Sequence, residues 1–179
     1  MKLFNGLRTK IGQYTLKKTS VGSCQRQFLN WSEIHRIQIV FNRIGQKQAD
    51  EMVKFVKFLL EEGKKVDVLI FVDAKKLDET FQNRPGITYY CRKDLNWFGK
   101  PTSIAVEEFL SRDADLLIVP EFTDIFHFTW IATLSKAKSV VAPYSDWNTW
   151  ATMLLKIEGK DINSFLQQAI HYLGFINQK

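Results

Sequence analysis

The hydrophobic positions change their period along the chain, and the changes mark out the elements. Leu3, Phe4, Leu7, Ile11 and Tyr14 recur at helical spacing, with Lys10 and Lys17 on another side, which predicts a short amphipathic basic helix. Thr19 to Asn30 carries no period and reads as a linker. From Trp31 onward, short apolar runs alternate with helical patterns. Ile37–Phe41, Val66–Val72, Ile87–Cys91, Asp115–Val119 and Ser139–Ala142 have the β-branched, apolar character of strands, and Trp150–Ile157 reads as a sixth strand at an edge. Met52, Val53, Val56, Leu59 and Leu60 mark a helix that stops at Gly63. A brief helical turn is expected around Lys76–Phe81, and Ile104, Val106, Phe109 and Leu110 predict a short helix. The next helix, with Asp124 as its expected cap, runs to about Lys136 and is apolar nearly all round, as in a buried helix or half of an interface. A final amphipathic helix, capped by Asp161, carries Ile162, Leu166, Ala169, Ile170 and Leu173.

Strands alternating with helices imply βαβ units. The expected fold is therefore α/β: a Rossmann-like three-layer sandwich with a mostly parallel sheet of five to six strands, preceded by a basic N-terminal helix. Residues 1–30 form the arm and linker, and residues 31–179 the domain. Val66–Val72 is apolar enough to be covered on both faces. Ligands of such sheets sit beyond the carboxyl ends of the strands, where the strand order reverses. With the order 3-2-1-4-5, that place lies between Asn42–Gln46 and Pro120–Asp124, with Asp73 and Asp94–Lys100 on the same rim.

Composition narrows the picture further. A chain of 179 residues fits one domain, and 45% hydrophobic and 25% charged residues are those of an ordinary globular protein. The net charge of +6 is uneven: residues 1–32 hold Lys2, Arg8, Lys10, Lys17, Lys18 and Arg26 and no acid, so the remainder is neutral. The basic character thus belongs to the arm, which could meet an anionic surface such as membrane, ribosome or nucleic acid, or simply pack on the domain with its lysines in water. No apolar run approaches the roughly 18 residues needed to cross a bilayer, and the N-terminus lacks the apolar core of a secretory signal. Cys24 and Cys91 suit a reducing cytoplasm better than a disulfide framework.

The motifs exclude several chemistries. Asn42-Arg43-Ile44-Gly45 after the first strand fits neither the dinucleotide nor the P-loop glycine pattern. No nucleophile elbow is present, and His35, His127 and His171 lie on separate elements without metal-ligand spacing, which suggests surface or capped histidines. No cofactor or metal is expected. Carboxylates at strand ends are the better lead: Asp73, Asp94, Glu121 and Asp124 could act as acid and base, or merely cap helices and make turns. The stretch Arg92–Pro101 crowds cations, a carboxylate, an amide, aromatics, a glycine and a proline between two regular elements. Either Trp97 and Phe98 plug the end of the core while Asp94 and Asn96 bond the loop's own backbone, or the two rings form a platform with Arg92, Lys93 and Lys100 holding an anion. Trp147-Asn148-Thr149-Trp150 is a further aromatic cluster whose place in space the sequence leaves open.

Lys93-Asp94-Leu95-Asn96-Trp97-Phe98-Gly99-Lys100-Pro101 resembles a motif of an uncharacterised single-domain Bacteroidota family, a domain of unknown function. The likeness covers most of the chain and continues in Glu62–Val66, Asp115–Ile118, Ala132–Lys138 and Ile170–Leu173. It implies a cytoplasmic Rossmann-like protein with a basic arm, and brings no catalytic residues. A fainter similarity, at Asp115–Val119 and Leu134–Lys138, is to one half of heptosyltransferase-type glycosyltransferases; here Pro120-Glu121-Phe122 departs from their pattern, and the second nucleotide-sugar domain of such enzymes has no counterpart.

The leading expectation is a cytoplasmic protein that acts by binding a protein partner or a small anionic ligand. Its contact surfaces would be the arm and the rim, with Asn42, Arg43 and Asp73 beside Arg92–Lys100. The rival is a small enzyme on a phosphorylated or sugar-like substrate that uses Asp94, Lys100, Glu121 and Asp124. The third is peripheral attachment, for instance to the inner membrane, through Leu3–Lys18.

Overall fold

The computed structural model describes residues 2–19 and 25–176, the side chains of residues 2–7 and 9 excepted. The side chains of Lys2, Leu3, Phe4 and Leu7, and Cys24, lie outside the described residues. Helix α1 (Lys2–Thr19) precedes a sheet of six strands: β1 (Arg36–Asn42), β2 (Lys65–Val72), β3 (Ile87–Cys91), β4 (Leu116–Ile118), β5 (Ser139–Pro143) and β6 (Met153–Leu155). All neighbours pair in parallel, in the order β3-β2-β1-β4-β5-β6. The expected Rossmann-like sandwich is therefore present, with the reversal of strand order between β1 and β4.

Right-handed crossovers dictate which face each helix takes. Helices α2 (Gln46–Glu61) and α5 (Ile162–Phe175) cover one face, packing Met52, Phe55, Leu59, Phe165 and Leu166 on Ile37, Ile39, Phe41 and Val68. Helices α3 (Ile104–Ser111) and α4 (Phe126–Leu134) cover the other, packing Val106, Phe109, Phe128 and Ile131 on Val40, Leu69, Tyr90 and Leu117. Successive side chains of β1 alternate between the two cores, as the strand period of two requires.

Four sequence expectations are corrected. No helix forms at Lys76–Phe81: Asp78 accepts from Thr80 N–H (2.9 Å) and folds the segment into a local turn. As a consequence β2 is not covered equally on both faces; Val66 and Ile70 stay half-buried on the α2 side. Asp124 does not cap α4, whose N-cap is Ile125 with no side-chain bond. And the described part of the linker is not loose. Arg26 donates to the carbonyls of Ala137 and Ala132 (2.7 Å to the latter), Gln27 N–H donates to Lys138 O (2.8 Å), and Leu29 is buried. The Arg26 guanidinium thereby binds one carbonyl in the last turn of α4, that of Ala132, and one in the loop that follows, that of Ala137.

One polar side chain lies inside the core. Gln38, 1% exposed, donates from Nε2 to Phe109 O (2.7 Å) and accepts from Ser135 Oγ (3.2 Å), tying the central strand to α3 and the end of α4. Gln38→Ala should leave a cavity and two unpaired groups, and cost about 2–4 kcal/mol of unfolding free energy in a urea titration.

Candidate functional site

The strand C-terminal ends form a rim on which the predicted residues fall into separate groups. At the switch point, Arg43 lies over the Phe81 ring (5.0 Å to the centroid) and donates to Gln46 Oε1 (3.2 Å), while Asn42 Oδ1 is buried with no partner among the described residues. Across from them Glu121 Oε1 accepts from Thr123 N (3.0 Å) and Oγ1 (2.6 Å), so its carboxylate closes its own turn.

At the ends of β2 and β3, Asp73 and Arg92 form a two-point ion pair (2.5 and 2.8 Å). The Arg92 hydrogen bond holds the Asp73 carboxyl below its ordinary value, although both side chains are more than half exposed. Beneath them the structure brings together two residues that the sequence keeps 37 apart: Tyr90 O–H stands 2.9 Å from His127 Nδ1, both buried. His127 is thus a core histidine rather than a surface or capped one. Burial lowers its pKa to about 4, against the upward pull of Asp73, so the ring is neutral at pH 7. Lys93 is exposed nearby.

The Arg92–Pro101 stretch is built by its own backbone bonds. A 3-10 turn (Arg92–Asp94) is closed by Asp94 Oδ2 accepting from Cys91 N (2.8 Å). Asn96 Oδ1 accepts from Phe98 N (3.1 Å) and Lys100 N (2.9 Å), and Gly99 adopts φ +84°, a left-handed conformation that disfavours any other residue. These bonds hold Phe98 against Trp130 (6.1 Å between centroids), with Lys100 Nζ 5.6 Å above the same indole, while Trp97 remains 56% exposed.

Helix α1 is seated on this loop. A Cβ placed on Gly12 would lie 2.7 Å from Phe98 O and 2.6 Å from the Phe126 ring, so only glycine permits the approach. Among the described side chains of α1, Leu16 is buried beside Gly12, whereas Tyr14 is 61% exposed under Lys18 (4.7 Å to the centroid). Tyr14 therefore does not belong to the docking face that helical spacing suggested; the face is set by Gly12 and Leu16, which the spacing rule overlooked.

Docked in this way, α1 becomes one wall of a cleft of about 480 Å³ whose other walls are α4 and residues 146–150. Gln13 and Lys17 come from α1, and Phe126, Thr129 and Thr133 from α4. Asp124, Asp146, Trp147, Thr149 and Trp150 complete it. The last segment is fixed by buried Asn148, which donates to Pro143 O (2.8 Å). Trp150 Nε1 is buried with no hydrogen-bond partner among the described residues, a costly state for an indole N–H. Of the predicted residues, the cleft gathers only Asp124 and Lys17; Asn42, Arg43, Asp73, Arg92, Lys93, Asp94 and Glu121 do not line it. The Trp147–Trp150 cluster supplies its aromatic surface. No group of three or more His, Cys, Asp or Glu among the described residues is placed to hold a metal ion, and no described helix is long and apolar enough to cross a membrane.

The chain belongs to a family of unknown function, DUF6913, whose family model matches residues 8–176. No curated protein and no solved structure matches it.

Two outcomes follow from this geometry. Since His127 has a folded pKa of about 4 against 6.5 unfolded, the unfolded chain takes up the proton first as pH falls. Stability should hold above pH 6.5 and drop by about 3 kcal/mol between there and pH 4. Urea titrations should show this drop, and His127→Gln should flatten it. Separately, Gly12→Val should lift α1 without unfolding the sheet: hydrogen exchange in residues 10–19 should accelerate at least tenfold while β1 and β4 keep their protection.

Proposed function

We propose that the protein binds a small hydroxylated ligand with a flat apolar face, such as a sugar ring, in the cleft between α1, α4 and residues 146–150. The observation that carries this reading is a cleft that sets the aromatic side chains of Phe126, Trp147 and Trp150 beside the carboxylates of Asp124 and Asp146. Phe126 and Trp147 offer faces for stacking. Asp124 and Asp146 offer acceptors for paired hydroxyls, and Thr129, Thr133 and Thr149 can donate or accept. A volume of about 480 Å³ falls within the roughly 300–1,000 Å³ of small-molecule sites.

Binding is favoured over catalysis at the rim because Asp94 and Glu121 already accept hydrogen bonds from their own loops. One observation supports a second reading, contact with an anionic membrane surface: Arg8, Lys10 and Lys18 are exposed on α1, on the helix that walls the cleft. Both readings suit a cytoplasmic protein that can reach the inner membrane.

Titration of monosaccharides, sugar phosphates and nucleotide-sugars, followed by tryptophan fluorescence, tests the first reading. At least one compound should give a saturable change, weakened tenfold or more by Trp147→Ala and by Asp146→Asn with unchanged melting temperatures. A flat response across the panel, or a response indifferent to both substitutions, would contradict it.

A further inference from the structure

The absence of a helix between β2 and β3 leaves part of the sheet without its usual cover. Residues 73–86 instead run back along the open edge of β3: Tyr89 N–H donates to Asn83 Oδ1 (2.8 Å), and Arg84 and Ile87 exchange both backbone bonds (2.9 Å each). This shields the edge strand but not the face beside it. Val68, Ile70, Ile87 and Tyr89 floor a groove of about 190 Å³, and Val53 and Val56 of α2 form its wall. Val53 is 54% exposed. The two charged side chains of the lining, Arg43 and Lys57, are both cations, and the lining includes no carboxylate.

We propose that this groove is a second binding site, separate from the α1–α4 cleft, for an apolar monocarboxylate. The apolar floor and wall take the hydrocarbon part, which gains free energy from each methylene removed from water. The carboxylate meets Lys57 and Arg43, whose guanidinium is held over Phe81 and so arrives with little freedom left to lose. Size sets the limit. The groove exceeds the roughly 150 Å³ that holds a benzene ring but falls short of the roughly 300 Å³ at which drug-sized sites begin. The ligand therefore carries one ring or a chain of comparable bulk.

Calorimetric titration of the full chain with octanoate, 1-octanol and octylammonium tests the assignment. Octanoate should bind saturably with one site, 1-octanol roughly tenfold more weakly, and octylammonium not at all. Val53→Trp fills the groove from its solvent side without touching the core and should abolish octanoate binding. Lys57→Glu should weaken it roughly tenfold. Absence of saturable octanoate binding, equal binding of octylammonium, or indifference to Val53→Trp would each overturn the proposal. Equal binding of 1-octanol would also overturn it, and would assign the face to an uncharged apolar partner.

Discussion

The contact on which the functional architecture depends is a backbone approach. Gly12 brings α1 so close to Phe98 O and the Phe126 ring that no side chain fits between them. That proximity needs a fixed seat, and the Arg92–Pro101 loop supplies it. Asn96 gathers two backbone N–H groups, Gly99 turns the chain through a left-handed conformation, and Phe98 is thereby pressed against Trp130. The polar and aromatic variety of this loop thus has a physical use before any ligand is considered. Without the seated helix, the cleft lined by Trp147, Trp150 and Asp146 would lose a wall.

A second constraint is topological. With β1 at the centre and the chain reversing direction across the sheet, α2 is committed to one face and α3 and α4 to the other. The segment between β2 and β3 forms no helix, and the loss is not repaired by α2 alone. The cleft and the groove have different origins. The cleft is added to the rim by α1, whereas the groove is left by a missing helix. Their chemistry differs accordingly: aromatic with carboxylates and hydroxyls in the first, aliphatic with two cations in the second.

The alternation of strands and helices made the three-layer fold legible, because right-handed crossovers leave few alternatives. Local bonds were legible too: Asp161 does cap α5, donating nothing and accepting from Ser164 N (2.8 Å), and Gly99 does take a positive φ. Non-local pairings were not. Nothing near Tyr90 or His127 in sequence announces their hydrogen bond, although one stands late in β3 and the other in the first turn of α4. Leu77 and Phe81 have helical spacing, yet Phe81 is drawn to Tyr89 (5.4 Å between centroids) and Arg43 instead. On α1, a hydrophobicity count promotes Tyr14 and passes over Gly12, whose importance is the absence of a side chain. The Trp147–Trp150 segment was visible as an aromatic cluster, but its place beside α4 depends on β5 and β6 pairing.

The central claim is that α1 is seated on the rim at Gly12. The most direct measurement is a nuclear Overhauser spectrum of the full chain, with the Gly12 α-protons and the Phe126 ring assigned. Strong cross-peaks between them, and from Leu16 methyls to the rest of the domain, are the predicted result. Their absence, with α1 giving only peaks within itself, would contradict the seated helix and with it the cleft.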